Sequence, residues 1–135
     1  MNKFCDLHLH LGGSISKDLV RRFAELDHDQ DAIEVLAQGD VLKLFQVVHH
    51  LVQSPERIRI ATEDVIRTTT ADYLEIRSTP RPFSAGQSFH PYVEAFVSVL
   101  RRFPEKVRGI LSIDRYQHDL RTAKEIISLA REFPD

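Results

Sequence analysis

The chain has 135 residues, 42% apolar and 28% charged, with a formal net charge of −2 and a single cysteine. That length bounds it to about one domain, 1–135, able to bury roughly two-thirds of its unfolded surface. The charge balance gives no support for a nucleic-acid or polyanionic-membrane partner, lone Cys5 excludes an internal disulfide framework and suits a reducing compartment such as the cytosol, and no apolar run approaches the roughly 18 residues of a membrane span.

Residues 3–10 read as a first strand, with Phe4, Leu7, Leu9 and Leu11 as its apolar complement. His8 and His10, two apart, fall on one face of such a strand. They converge at its carboxyl end, where α/β folds place their chemistry. Two readings are open: a metal-ligating imidazole pair, or a packed and hydrogen-bonded core pair. The Gly12-Gly13-Ser14 turn that ends the strand and leads into a helix favours the metal.

Ser14 or Ser16 caps that helix, whose apolar side is Ile15, Leu19, Phe23 and Leu26. Residues 27–39 are acidic and read as a loop with a short helix. Asp40 caps a helix bearing Leu42, Phe45, Val48 and Val52, with one of His49 and His50 facing inward. Ser54-Pro55 opens another, with Ile58, Ala61, Val65 and Ile66 inward. Tyr73 to Pro80 reads as the second strand and its exit, because Pro80 and Pro82 forbid a central strand beyond it. Glu75, within it, is expected to pair with an arginine. A helix from about Pro91 to Phe103 follows, presenting Tyr92, Phe96, Val99 and Phe103 and ended by Pro104. Val107–Asp114 is the third strand, and Asp119 caps a last helix. His28, His90 and His118 are assigned to the surface.

The order predicts an α/β fold of three strand–helix units. Three such units do not close a barrel, which needs eight, so apolar helix faces are expected to lie partly uncovered. Polar groups gather at the strand ends: His8 and His10, then Arg77 to Arg81, then Asp114-Arg115. A zinc hydrolase needs at least three ligands and an acid/base; this stretch offers two ligands and no evident acid/base.

With these residues assembled, the chain resembles the adenosine deaminase superfamily, and within it the adenosine deaminase-like branch that acts on N6-methyl-AMP. Leu7-His8-Leu9-His10-Leu11-Gly12-Gly13-Ser14-Ile15-Ser16 is similar to that family's first strand and turn. Leu44 to Leu51 is similar to its helix with a substrate-contacting histidine, at His49. Tyr73 to Arg81 (YLEIRSTPR) is similar to its second strand and loop and favours the nucleotide branch, and Ser112 to Arg115 is similar to the end of its third strand.

The resemblance implies the first three units of a metal-dependent hydrolase (β/α)8 barrel. It implies hydrolytic deamination of N6-methyl-AMP to IMP and methylamine by a zinc-activated water. His8 and His10 become two ligands of one Zn2+. His10, Gly12, His49, Ser78, Thr79, Pro80, Arg81 and Asp114 become substrate-binding positions, with donors at Ser78, Thr79 and Arg81 for the phosphate. The partner is a small purine nucleotide, and the whole protein is expected to be a monomer. Gly12 departs from the family, which carries a side-chain hydrogen-bonding group there. The family's other zinc ligands, catalytic glutamate and later histidine have no counterpart in these residues, so the piece alone is expected to be inactive. Alternatives are deamination of the nucleoside adenosine, and a non-catalytic short form that binds metal or a partner.

Overall fold

The computed structural model describes residues 3–135. Three parallel strands, β1 (Cys5–His10), β2 (Tyr73–Ser78) and β3 (Val107–Leu111), form one open sheet in that order. Helices separate them as the apolar periodicity requires. Among the described residues no helix is long and apolar enough to cross a membrane.

The first crossover holds most of the helical residues. The expected Gly12-Gly13-Ser14 turn is helical: Leu11–Ser14 forms a single helical turn, α1, with Leu11 buried. Ser14 therefore lies inside a helix, and Ser16 is the cap of α2 (Lys17–Leu26), its side chain accepting from the Leu19 amide. The buried stripe of α2 is Leu19, Val20, Phe23 and Ala24, which leaves Leu26 exposed off its edge. The acidic stretch folds into a full helix, α3 (Gln30–Gln38), because Asp29 caps one end and Gly39, at φ +72°, terminates the other in the left-handed conformation.

Asp40 caps α4 (Val41–Leu51) as expected, but the helix is rotated from the expected face. Val48, Leu51 and Val52 are buried while Leu42 and Phe45 are exposed. His50 lies on its exposed side, whereas His49, though solvent-accessible, leans toward Gly12 of α1. Ser54 caps α5 (Pro55–Thr68), which buries Ile58, Ala61, Val65 and Ile66 as its spacing demands. An Arg57–Asp27 pair clips α5 to the end of α2, with both amino groups on the carboxylate at 2.6 and 2.5 Å. The Arg57 guanidinium also rests 4.7 Å from the centre of the Phe23 ring.

In β2 the alternation is strict. Leu74, Ile76 and Ser78 are buried, and Tyr73, Glu75 and Arg77 face the other way. Glu75 accepts from the Tyr73 hydroxyl at 3.4 Å rather than from an arginine. The next helix, α6 (His90–Leu100), stops three residues before Phe103, because the chain must turn there: the Phe103 carbonyl accepts the Lys106 and Val107 amides that start β3. β3 ends at Leu111, short of Asp114. Its last partner on β2 is Ser78, whose carbonyl takes the Ser112 amide, and beyond Ser78 the prolines leave nothing to pair with. Asp119 caps α7 (Leu120–Glu132).

One face of the sheet packs on the core, where Leu74 and Ile76 are completely buried and Gly109 sits under Phe96 and Leu100 of α6. Apolar side chains lie partly uncovered on the helices, as expected: Val41, Leu42 and Phe45 of α4, Ile60 of α5, and Leu120 and Ile127 of α7 are exposed. The other face of the sheet is open as well, and Glu75, Arg77 and Arg108 lie on it beside the β1 histidines.

Candidate active site

The carboxyl ends of the strands open into a cleft of about 210 Å3. Every expected substrate-binding position lines it: His10 and Gly12 from the end of β1, His49 from α4, Ser78 to Arg81 from the exit of β2, and Asp114 from the turn after β3. Arg77, expected among the polar strand-end groups, lines it too, as do Gly13, Phe45, Tyr92, Gln117 and His118, which sequence reasoning did not assign to the site.

His8 and His10 meet at the edge of this cleft. Their Nε2 atoms are 3.2 Å apart, with the ring planes at 47°. Two nitrogens that each bond one tetrahedral ion at roughly 2.0–2.1 Å stand about 3.3 Å apart, so this spacing fits two ligands of one zinc. It equally fits a shared N–H···N hydrogen bond between the two rings. Among the described residues no cluster of three or more His, Cys, Asp or Glu side chains is placed to hold a metal. Burial, then the neighbouring His8 and Arg77, push the His10 imidazole below its ordinary range, which favours the neutral, metal-binding form.

Side chains expected to meet the substrate also hold one another. The Ser78 hydroxyl is buried and shares a 2.7 Å hydrogen bond with the Tyr92 hydroxyl. Arg81 spans the cleft floor: its NH2 donates to the Val52 carbonyl at 2.6 Å and the His49 carbonyl at 3.4 Å, at the C-terminal end of α4, where carbonyls lack helical partners. Its guanidinium lies 5.5 Å from the Tyr92 ring centre. Burial, and then the charge of Arg81, push the His49 imidazole below its ordinary range. Thr79 is exposed at the rim and Pro80 is buried beneath it.

Asp114 folds its own turn, with Oδ1 accepting the Tyr116 amide at 2.9 Å. Its backbone amide donates to Nδ1 of His118 at 3.2 Å, which puts the proton of the neutral His118 ring on Nε2. His118 is half-buried, edge-on to Phe89, and borders the cleft, which corrects its assignment to the surface. An aspartate followed four residues later by histidine, just past a strand, was the available signal. Gly12 leaves room: a Cβ there meets nothing nearer than His49 Nε2 at 3.9 Å.

The electrostatics favour an anionic ligand. Two guanidiniums, Arg77 and Arg81, face one carboxylate, Asp114, among the cleft-lining residues. The Nε atoms of both arginines are buried with no hydrogen-bond partner among the described residues, an arrangement that an incoming acceptor relieves.

No family model matches the chain. It is 35% identical to N6-methyl-AMP deaminase of Bos taurus and 34% identical to that of Homo sapiens, in each case over 95% of this chain and 41% of the relative. It is 30% identical to the adenosine deaminase-like protein of Caenorhabditis elegans. The chain thus spans about two-fifths of the length of the curated relatives it matches. Among solved structures it superposes on the N6-methyl-AMP deaminase of Arabidopsis thaliana with a TM-score of 0.80 and 30% identity, covering 98% of this chain and 46% of that one. It superposes on an adenine deaminase from Arthrobacter aurescens with a TM-score of 0.63 and 19% identity, which bears on the fold alone. The three parallel strands and their helices match part of the barrel of these deaminases, with the sheet not closed here.

Proposed function

Because this chain belongs to the adenosine deaminase family, we propose that it forms the purine-nucleotide-binding and metal-ligating portion of a hydrolytic deaminase that converts N6-methyl-AMP and water to IMP and methylamine. His8 and His10 would hold one zinc ion between them as two of its ligands, and when bound that ion supplies an activated water for hydrolysis. The remaining steps taken by this chain are binding and orientation. Arg81 and the rim hydroxyl of Thr79 take the phosphate, with Pro80 shaping the turn that presents them. His49 and His10 line the nucleoside end. Ser78, expected among the phosphate donors, is instead buried and bonded to Tyr92, so this hydroxyl pair and Asp114 offer hydrogen bonds to the sugar and base. One exposed thiol, Cys5, supports a reducing compartment, the cytosol.

The observation that carries this reading is the convergence of the substrate-binding positions, drawn from five separate segments, on one cleft with an excess of guanidinium over carboxylate. Calorimetric titration of the chain with AMP and with adenosine tests it. AMP is expected to bind at least about tenfold more tightly, since one charge-assisted hydrogen bond to a phosphate contributes about 1.5–3 kcal/mol. Equal affinities would favour the nucleoside, and binding of neither would remove the nucleotide reading.

A further inference from the structure

We propose that Asp6 and Arg77 are the positioning residues of the imidazole pair: together they hold a bulge in β1 that turns His8 and His10 onto the open face of the sheet. The inference deepens the reading of these histidines as metal ligands and rests on it.

The pairing register carries it. Cys5 pairs with Tyr73 and Asp6 with Leu74; then Leu9 pairs with Ile76 and His10 with Arg77. Two residues, Leu7 and His8, therefore oppose the single residue Glu75. One inserted residue reverses the pleat of everything beyond it. Without the bulge, the register that sets Asp6 beside Leu74 would carry His8 beside Ile76 and His10 beside Ser78, on the face packed against the core. With it, Leu9 takes the place beside Ile76 and joins the core, while His10 lies beside Arg77 on the open face. The displaced residue is Leu7, which is 54% exposed in a strand whose other leucine, Leu9, packs inward.

A bulge leaves backbone groups without ladder partners, and these need others. Two side chains supply them here. Asp6 Oδ1 accepts the His8 amide at 3.1 Å, a local bond of the kind short acidic side chains make to the backbone two residues on. Arg77 NH2 donates to the Leu7 carbonyl at 3.3 Å. Both clamps reach the bulge from fixed places, Asp6 from the last regular pair before it and Arg77 from the position beside His10. The two Nε2 atoms meet at 3.2 Å as the outcome.

The test titrates the 135-residue chain with Zn2+ alone and follows the His8 and His10 ring signals by NMR, in the wild type and in Asp6→Ala, Asp6→Asn and Arg77→Ala. In the wild type both rings are expected to respond together. Asp6→Ala and Arg77→Ala are expected to weaken Zn2+ binding about tenfold or more, while His49 and His118 keep their signals. Asp6→Asn restores most of the affinity, because its side-chain oxygen still accepts the His8 amide, and that amide exchanges slowly in the wild type and in Asp6→Asn but fast in Asp6→Ala. Arg77→Ala carries the same comparison if Asp6→Ala does not fold. Alanine variants that bind Zn2+ as tightly as the wild type overturn the proposal. A wild-type chain whose His8 and His10 ignore Zn2+ overturns the metal reading instead. The clamps are then judged on the His8–His10 ring-to-ring NOE, which must weaken in Asp6→Ala and persist in Asp6→Asn; an NOE unchanged in Asp6→Ala overturns them.

Discussion

Replacing Gly109 by alanine is expected to destabilise the fold by about 1–3 kcal/mol, and by more if α6 cannot shift. Gly109 lies in the middle of β3, paired with Ile76 of β2, and faces α6. A Cβ built there stands 2.5 Å from Leu100 Cδ1 and 2.9 Å from Phe96 Cε1. Neither neighbour can yield toward solvent, since Leu100 is 2% and Phe96 0% exposed. The methyl therefore pushes the helix away from the sheet or forces a core side chain off its rotamer. Urea denaturation reads the effect as a lower midpoint at unchanged slope. Adding Leu100→Ala removes the closer of the two clashing atoms, so the double variant is expected to be more stable than the sum of the single changes. A Gly109→Ala midpoint equal to the wild type's would mean that α6 does not pack on β3 as described.

The second large effect is expected at Arg81. Arg81→Ala removes a cation from the cleft and at once leaves the Val52 and His49 carbonyls without their donor. AMP affinity is expected to fall about 10- to 100-fold, the range that loss of a charged hydrogen bond of about 1.5–3 kcal/mol spans. Adenosine affinity, without a phosphate, changes much less. Arg81→Lys does not restore the wild type, because one ammonium cannot bridge two carbonyls and lie against Tyr92 as a planar guanidinium does.

His49 reports the same change independently. In the wild type, burial and then the Arg81 charge hold its pKa below the ordinary 6.5. The unfolded chain thus binds the proton more readily, and this group's contribution to stability is complete above 6.5 and falls as the pH drops from there toward the lower folded value. In Arg81→Ala the second cause is gone, and His49 is expected to titrate closer to 6.5 by NMR. An unchanged AMP-to-adenosine ratio together with an unmoved His49 titration would remove Arg81 from the site.

Much of this architecture is legible in the sequence because local signals and core periodicity agree. Ser54-Pro55 starts α5 and its four apolar positions are the four that pack; Asp40 and Asp119 cap as their side chains allow; the prolines after Ser78 end β2. The failures have a common origin in tertiary contacts. Leu42 and Phe45 suit a helix stripe by spacing, yet the neighbours of α4 select the face of Val48 and Leu51. β3 stops at Leu111 because its partner strand has ended, which is a property of β2. The histidine spacing in β1 announces a shared face but not which face, because a bulge is a matter of register between two strands. At the candidate site, the strand-end positions are visible as polar groups that close apolar runs. Tyr92 is not, since it reads as a core aromatic on a helix, and His118 is marked only by its spacing from Asp114 until the strand ends are brought together.

The most direct measurement uses the seven histidines of the chain as internal reporters. Ring-carbon NMR spectra are recorded while AMP is added to the purified protein. His10, His49 and His118 border the cleft, whereas His28, His50 and His90 do not. Nucleotide binding at the strand ends requires the first three signals to move in concert and saturate together while the other three hold still. Shifts confined to His28, His50 or His90, or no saturable shift at any of the seven, would contradict a purine-nucleotide site in this cleft.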